Sequence, residues 1–331
     1  MAADVAVIIP TLRRPEGLER ALRSVFVQVG SLDRIAAVVV ADNDPEGSAE
    51  PIVQRLRAEA PVPLIYAHAP VPGVATARNV GLAATDAPLI AFLDDDEAAS
   101  PGWLAALLEA QVQTDADVLF GPIRGRVPEN AGWTSAYLER FFGRDGPDVT
   151  GLTDDIHGCG NSLMVRASAL PGHAPFDVVT NETGGEDDRL FTGLMARGGR
   201  FGWAAGAWVD EFAPPHRATL RYALTRAFAY GQSPSQMAAD RRDWPGVIKW
   251  MLVGAAQTAI WGASSLLSAL LRRPGRAETY DRCARGLGKV FWTRGFEPKL
   301  YGAAMLARAD RSSVSPSDAA GIPARDRSSG S

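Results

Sequence analysis

Four short apolar runs punctuate the first hundred residues: 5–9 (VAVII), 35–40 (IAAVVV), 64–66 (LIY) and 89–93 (LIAFL). Segments of helical character separate them. This alternation constrains the fold more than any other feature, because strands joined by helical crossovers pair in one sheet with helices on its faces. After Pro15, the residues Leu18, Ala21, Leu22, Val25 and Phe26 recur at the spacing of an amphipathic helix, and Pro15 suits its first turn. Further helices are expected around residues 52–59, over the middle of GVATARNVGLAATD, and after Ser100-Pro101, which should cap a helix with Trp103, Leu104, Leu107 and Leu108 inward. The run 89–93 is apolar throughout, as in a parallel sheet covered on both faces. A doubly wound α/β domain is the expected class.

In such domains ligands bind beyond the carboxyl ends of the strands. Those ends carry Pro10-Thr11, then Asp42-Asn43-Asp44, then Asp94-Asp95-Asp96 with Glu97 behind them. Adjacent carboxylates repel unless something positive lies between them. No GxGxxG follows the first strand and no GxxxxGK[ST] occurs, so the usual glycine-rich phosphate cradles are missing. An acidic rim that receives a phosphorylated ligand calls for a divalent cation.

Farther on, DDIHGCGNSL (154–163) has loop chemistry and leads into a strand around Met164-Val165. GGEDDRLFTGLMARGG (184–199) places Asp187, Leu190, Phe191, Leu194 and Met195 on one helical face that Gly198-Gly199 ends, and residues 221–230 read as helix. The two cysteines, Cys159 and Cys283, have no metal-site spacing and indicate no disulfide framework. The N-terminus has no basic leader followed by a long apolar core, so no signal peptide is expected.

Taken in order, VIIPTLRRPEGLERALRSVFVQ, VVVADND, GVATARNVGLAATDAPLIAFLDDD, GCGNSLMVRASAL and GGEDDRLFTGLMARGG resemble the family 2 glycosyltransferases, over roughly residues 4–232. VDEFAPPHRATLRYALTRAFAYGQS is similar to the bacterial surface-polysaccharide branch of that family. The resemblance implies a GT-A fold, a Rossmann-like mixed sheet flanked by helices. It implies inverting transfer of a hexose from a nucleotide sugar, expected to be a UDP-sugar, to a lipid-linked glycan or growing polysaccharide. Mg²⁺ or Mn²⁺ would serve as cofactor. By resemblance Asp96 is the metal ligand, Asp94 and Asp95 hold the ribose and support the metal, and Asp42 binds the nucleobase in a pocket lined by Pro10, Thr11 and Arg13. Arg78 reaches the diphosphate or ribose. Asp187 is the catalytic base, at a helix N-terminus that favours a carboxylate, and Glu186 orients acceptor or donor. Arg226 and Gln232 resemble positions near the diphosphate. The family often carries a histidine in a Val-His-Glu context as a further ligand. Here the match is Val209-Asp210-Glu211, which makes Asp210 the substitute ligand, with His216 a displaced alternative.

Each assignment has a plainer counterpart. The aspartate triplet could be a solvated loop, Asp187 ordinary helix-start charge, Asp42 an Asx-turn and Arg78 an ion-pair partner. Cys159 reads as a small buried residue and His157 as a loop histidine. Among functions, a nucleotidyltransferase lacks support, because the glycine-rich loop is absent and no lysine precedes Lys249. A non-catalytic glycan-binding or scaffold subunit is the alternative from another class. No nucleic-acid partner is expected.

The charge is divided. Residues 1–240 hold 19 Arg, no Lys and 31 Asp+Glu, net −12, whereas residues 241–331 are net +8. Residues 250–271 form 22 uncharged positions, long enough to span a bilayer. Gly254, Thr258 and Gly262 recur at the small-residue spacing of close helix contacts. Residues 276–294 form a basic amphipathic segment suited to anionic lipid. Spanning, interfacial and soluble-core placements all fit this pattern. The expected plan is a catalytic domain over 1–235, a helical membrane-association region over 236–306 and a disordered tail over 307–331, at the cytoplasmic face of the inner membrane.

Overall fold

The computed structural model describes residues 3–182 and 184–298. The expected tail at 307–331 lies outside them. Along the chain come β1 (Val5–Thr11), α1 (Pro15–Phe26), β2 (Ile35–Asp42), α2 (Glu50–Arg57), β3 (Leu64–His68), α3 (Val74–Ala83), β4 (Leu89–Phe92), β5 (Glu97–Ala99) and α4 (Trp103–Thr114). Then follow β6 (Val118–Phe120), β7 (Ile123–Arg126), α5 (Ser135–Phe142), β8 (Gly151–Thr153), β9 (Ser162–Val165), α6 (Arg166–Ala169), α7 (Glu186–Ala196), β10 (Phe201–Trp203) and β11 (Val209–Phe212). Three helices close the described chain: α8 (Leu220–Asp240), α9 (Trp244–Leu270) and α10 (Arg276–Val290).

The main sheet has the order β3-β2-β1-β4-β9-β6-β10-β8. Its first four strands are parallel, as their crossovers require, but β9 runs antiparallel to both β4 and β6. The sheet is therefore mixed, not parallel throughout. A small second sheet, β5-β11-β7, stands beside it. In β1 every residue is buried, and alternate side chains serve opposite faces. Val5, Val7 and Ile9 join the core under α1, α2 and α4, while Ala6 and Ile8 join the core shared with α3 and α7. Helix α4 begins at Trp103 with Gly102 at its cap position, so Ser100-Pro101 precede the helix and do not cap it.

The last three helices pack mainly on one another. Gly254 of α9 lies so close to α10 that a Cβ there would come within 2.7 Å of the Gly286 carbonyl. Gly286 in turn faces the Thr258 backbone of α9. The small-residue spacing thus serves contact between α9 and α10 of the same chain. Among the described residues no helix is long and apolar enough to cross a membrane. This removes the spanning placement of residues 250–271, because the segment belongs to a helix whose inner side is polar: Gln257 Nε2 donates to the Arg282 carbonyl and Lys289 Nζ to Gln257 Oε1. The expected boundary at residue 235 falls inside α8, which is continuous through Pro234. Tyr137 of α5 donates to Asp281 of α10, and Arg140 pairs with Glu278, tying this helical unit to the α/β domain.

Candidate active site

The carboxyl edge of β1, β2 and β4 gathers most of the expected residues. β1 ends at Thr11, whose hydroxyl donates to Asp95 Oδ2 at 2.8 Å. Arg13 takes a left-handed turn at φ 52°, a conformation uncommon outside glycine, and its Nε donates to Asp44 at 3.1 Å. Arg14 then places one Nη1 on both Asp95 Oδ1, at 2.7 Å, and Asp96 Oδ2, at 2.6 Å. Helix α1 starts at once, and Gly17 in its first turn is needed there: a Cβ would lie 2.5 Å from the Asp95 carbonyl. The repulsion inside the aspartate triplet is therefore partly met by an internal arginine.

Asp42 is fully buried. Its carboxylate accepts from the Asp44 and Ala49 backbone N–H groups and from the Tyr66 hydroxyl. Asp42 thus shapes the loop 43–49, and these internal donors occupy its carboxylate. Neighbouring Asn43 braces the next loop through the carbonyls of Ala69 and Val71 and the N–H of Gly73.

Arg78 comes from α3, is 4% exposed and pairs with the equally buried Glu186 at the start of α7. Its other nitrogen lies 3.6 Å from Asp94 Oδ1. Among the described residues its Nε has no partner, a buried donor without an acceptor. Asp187, one residue on, receives the Cys159 N–H on Oδ2 at 3.1 Å and the Asp188 N–H on Oδ1 at 2.9 Å. Loop 156–161 thus fixes the orientation of this carboxylate beside Arg78 and Asp94. Cys159 itself is buried, which pushes its thiol far above the usual range and leaves it a packing residue.

Burial raises Asp94, with Asp96 and Asp187 adding to the effect, and it pushes Asp95 up to about 6 against the pull of Arg14. Beneath them Glu97 is 2% exposed and accepts the Asp94 N–H. Burial, then Asp94 and Glu211, push it well above the carboxylate range.

The second sheet corrects one assignment. In β11, Glu211 pairs across from Glu97 of β5, and Asp210 pairs with Ala98. Adjacent residues of a strand point to opposite faces. Glu211 therefore shares the buried face of Glu97, and burial with Asp96 and Asp94 pushes it up to about 8. Asp210 points outward, where Arg126 holds it at 2.9 Å. It is not placed to ligate a cation held by the triplet; Glu211 is the β11 carboxylate on that side. His216 stands at the surface; partial burial of its ring, then the charges of Arg217 and Arg14, lower it. Gln232 is also displaced from the expected site: it donates to the Phe291 carbonyl inside the helical unit. Arg226 of α8 bonds the Tyr230 hydroxyl, and its charge opposes the upward shift of Glu211.

Arg144 and Arg14 are cations that the motifs did not single out. Arg144 follows α5 and donates to the carbonyls of Gly121, Gly158 and Asn161. Burial lowers it, while Glu97, Glu211, Asp94 and Asp187 oppose the shift. Among the described residues no three metal-ligating side chains converge as a ready cage. The donor set nevertheless suits a hard cation held in the open manner of Mg²⁺, by one or two carboxylates plus the oxygens of a bound phosphate. Asp94 is 36% exposed and reachable, Asp96 lies beside it, and all donors are oxygen.

Residues 6–170 match the family described as Glycosyl transferase family 2. The chain is 35% identical to the succinoglycan biosynthesis protein ExoM of Rhizobium meliloti over 235 residues, 70% of this chain and 74% of that protein. It is 30% identical to the pre-mycofactocin glycosyltransferase of Mycobacterium tuberculosis, covering 85% of this chain and 58% of that protein's length. Among solved structures it is similar to GalNAc-T7, crystallised with UDP, GalNAc and Mn²⁺, at a TM-score of 0.52 and 15% identity, covering 72% of this chain and 51% of that one.

Proposed function

Because the chain belongs to glycosyl transferase family 2, and is a glycosyltransferase, we propose that it is a metal-dependent, inverting hexosyltransferase that uses a UDP-sugar. Its acceptor in this reading is a lipid-linked glycan or growing surface polysaccharide at the cytoplasmic face of the inner membrane. The likeness to a succinoglycan biosynthesis protein supports that acceptor class. The observation that carries the reading is the facing of Asp187, at the start of α7, and the triplet Asp94–Asp96, after β4, across one buried ion pair, Arg78–Glu186.

The residues divide the work by charge. The acceptor hydroxyl attacks the anomeric carbon while the bond from that carbon to the diphosphate breaks. Asp187 takes the hydroxyl proton. The Cys159 and Asp188 N–H groups hold its carboxylate plane, so the proton-accepting lone pair is aimed before the acceptor arrives. Arg78 offers the unpartnered Nε for a donor oxygen, and Glu186 keeps that guanidinium in place. Asp95, through Thr11 and Arg14, fixes the loop against which the donor lies. Asp96 and Asp94 would hold Mg²⁺ or Mn²⁺, which when bound supplies Lewis-acid stabilisation to the departing nucleoside diphosphate. The loop shaped by Asp42 and Asn43 forms the base pocket.

A panel of nucleotide sugars, assayed for transfer and slow hydrolysis with and without EDTA, tests this reading. Turnover of a UDP-hexose that stops on chelation is expected. Full turnover without divalent ions, or no turnover of any UDP-sugar, would overturn it.

A further inference from the structure

Helix α9 turns its small and polar side to α10 and its apolar side to water. Leu252, Leu266 and Leu270 are 67%, 76% and 80% exposed, and Trp244, Ile248, Ile260 and Leu267 lie bare along the same helix. At 1.5 Å per residue its 27 residues form a stripe about 40 Å long. Exposed apolar patches on that scale mark an interaction surface. Between residues 244 and 277 there is no Asp or Glu. Lys249 lies on the outer side, and exposed Arg272 and Arg273 follow the helix. Residues 241–298 hold ten Lys+Arg against four Asp+Glu, and Asp243 is engaged in capping α9 through the Gly246 N–H.

We propose that this stripe docks flat on an anionic bilayer surface, with the leucines and Trp244 among the acyl chains and Lys249, Arg272 and Arg273 at the headgroups. The inner side of α9 is fixed to α10 by the close approach of Gly254 and Thr258 to Gly286 and by the Gln257 bond to the Arg282 carbonyl, so the helix presents only one apolar side. A helix of that character lies in the interface plane and does not cross it. Charge selects lipid over a second copy of the chain. Two copies laid stripe to stripe would bring basic ends together with no carboxylate along the helix to receive them, whereas anionic headgroups supply negative charge throughout. The inference deepens the proposed membrane residence and is independent of the transfer chemistry.

Co-sedimentation of the full chain with phosphatidylcholine vesicles, plain or containing about one third phosphatidylglycerol, tests it. Binding to the anionic vesicles is expected, weakening by about tenfold on plain ones. Paired substitution of Leu252→Asp and Leu267→Asp, both at exposed positions, should weaken binding by about 100-fold. Melting temperature and donor hydrolysis should stay as in the wild type, since neither residue touches the site. Equal binding to both vesicle types, no binding to either, or binding untouched by the paired substitution would overturn the proposal. So would a dimer in analytical ultracentrifugation that the paired substitution dissolves, because the stripe would then be a subunit interface. Vesicle binding with no transferase turnover would contradict the proposed reaction and leave the docking surface standing. Turnover without vesicle binding would do the reverse.

Discussion

The strand-end site and helix α9 depart from the ordinary globular rule in opposite senses. At the site, charge is buried: Asp95, Glu97, Arg78 and Glu186 are each 5% exposed or less. Along α9, leucines stand in water. Buried charge is tolerated only when paired or when a ligand completes it, and exposed apolar surface persists where something else covers it. The difference teaches that the two regions leave opposite needs open, buried charge at one and bare apolar surface at the other, and under the reading proposed above an anionic donor meets the first and a bilayer surface the second.

The largest expected effect falls on the site alone. Asp187→Asn should lower the transfer rate by about 10²- to 10⁴-fold, the range for a general base, while UDP binding by calorimetry changes little. Retained transfer would remove Asp187 from the proton-accepting role. Next, Arg78→Ala should cost about 3–5 kcal/mol in urea unfolding, because it leaves Glu186 buried without its partner. A change below about 1 kcal/mol, the size of a surface pair, would mean the pair is solvated. In the helical unit, Gly254→Leu should cost about 1–3 kcal/mol by forcing α9 from α10, with donor hydrolysis less affected than stability. Equal loss of both would erase the separation between the regions.

Smaller effects sharpen the geometry of the site. Asp210→Asn removes a surface pair worth about 0–1 kcal/mol and should leave turnover near wild type, whereas Glu211→Gln should lower it by about tenfold or more. The reverse order would restore Asp210 to the site. His157 packs between Phe120 and Trp203, and burial followed by Arg144 holds it down at about 4. Its folded value lies below its unfolded value of 6.5. Its neutral form is therefore favoured by folding, and the stability this contributes is lost as pH falls from 6.5 through 4. Thermal melts of His157→Phe should show a shallower decline over that window. An unchanged slope would assign the acid sensitivity elsewhere.

The parallel half of the sheet is legible because β1 and β2 carry runs of β-branched residues and β4 an unbroken apolar run, with amphipathic helix α1 between the first two. Strands β5, β6, β8 and β10 have three residues each, too few for any period to show. The antiparallel entry of β9 has no local signature either. At the candidate site, the motifs point to Asp187, Arg78 and the triplet, which the fold brings near one another. The motif match points to Asp210, but the two-residue alternation of a strand points past it: with Val209 buried, Glu211 must share its face. Arg14 lay beside the chosen Arg13, and the direction in which each points is set by the left-handed turn at Arg13, which no composition reveals. Arg144 reaches the site only through the long-range pairing of its backbone with Ile123. The apolar character of residues 250–271 is plain in the sequence, but which side of α9 faces protein depends on α10, which arrives later in the chain.

The stereochemistry of the product tests the central claim most directly. Proton NMR of the transfer reaction at early times should show a newly formed glycosidic bond whose anomeric configuration is inverted relative to the UDP-sugar, as expected when Asp187 activates an acceptor on the face opposite the diphosphate. Retention of the donor's configuration would contradict that account.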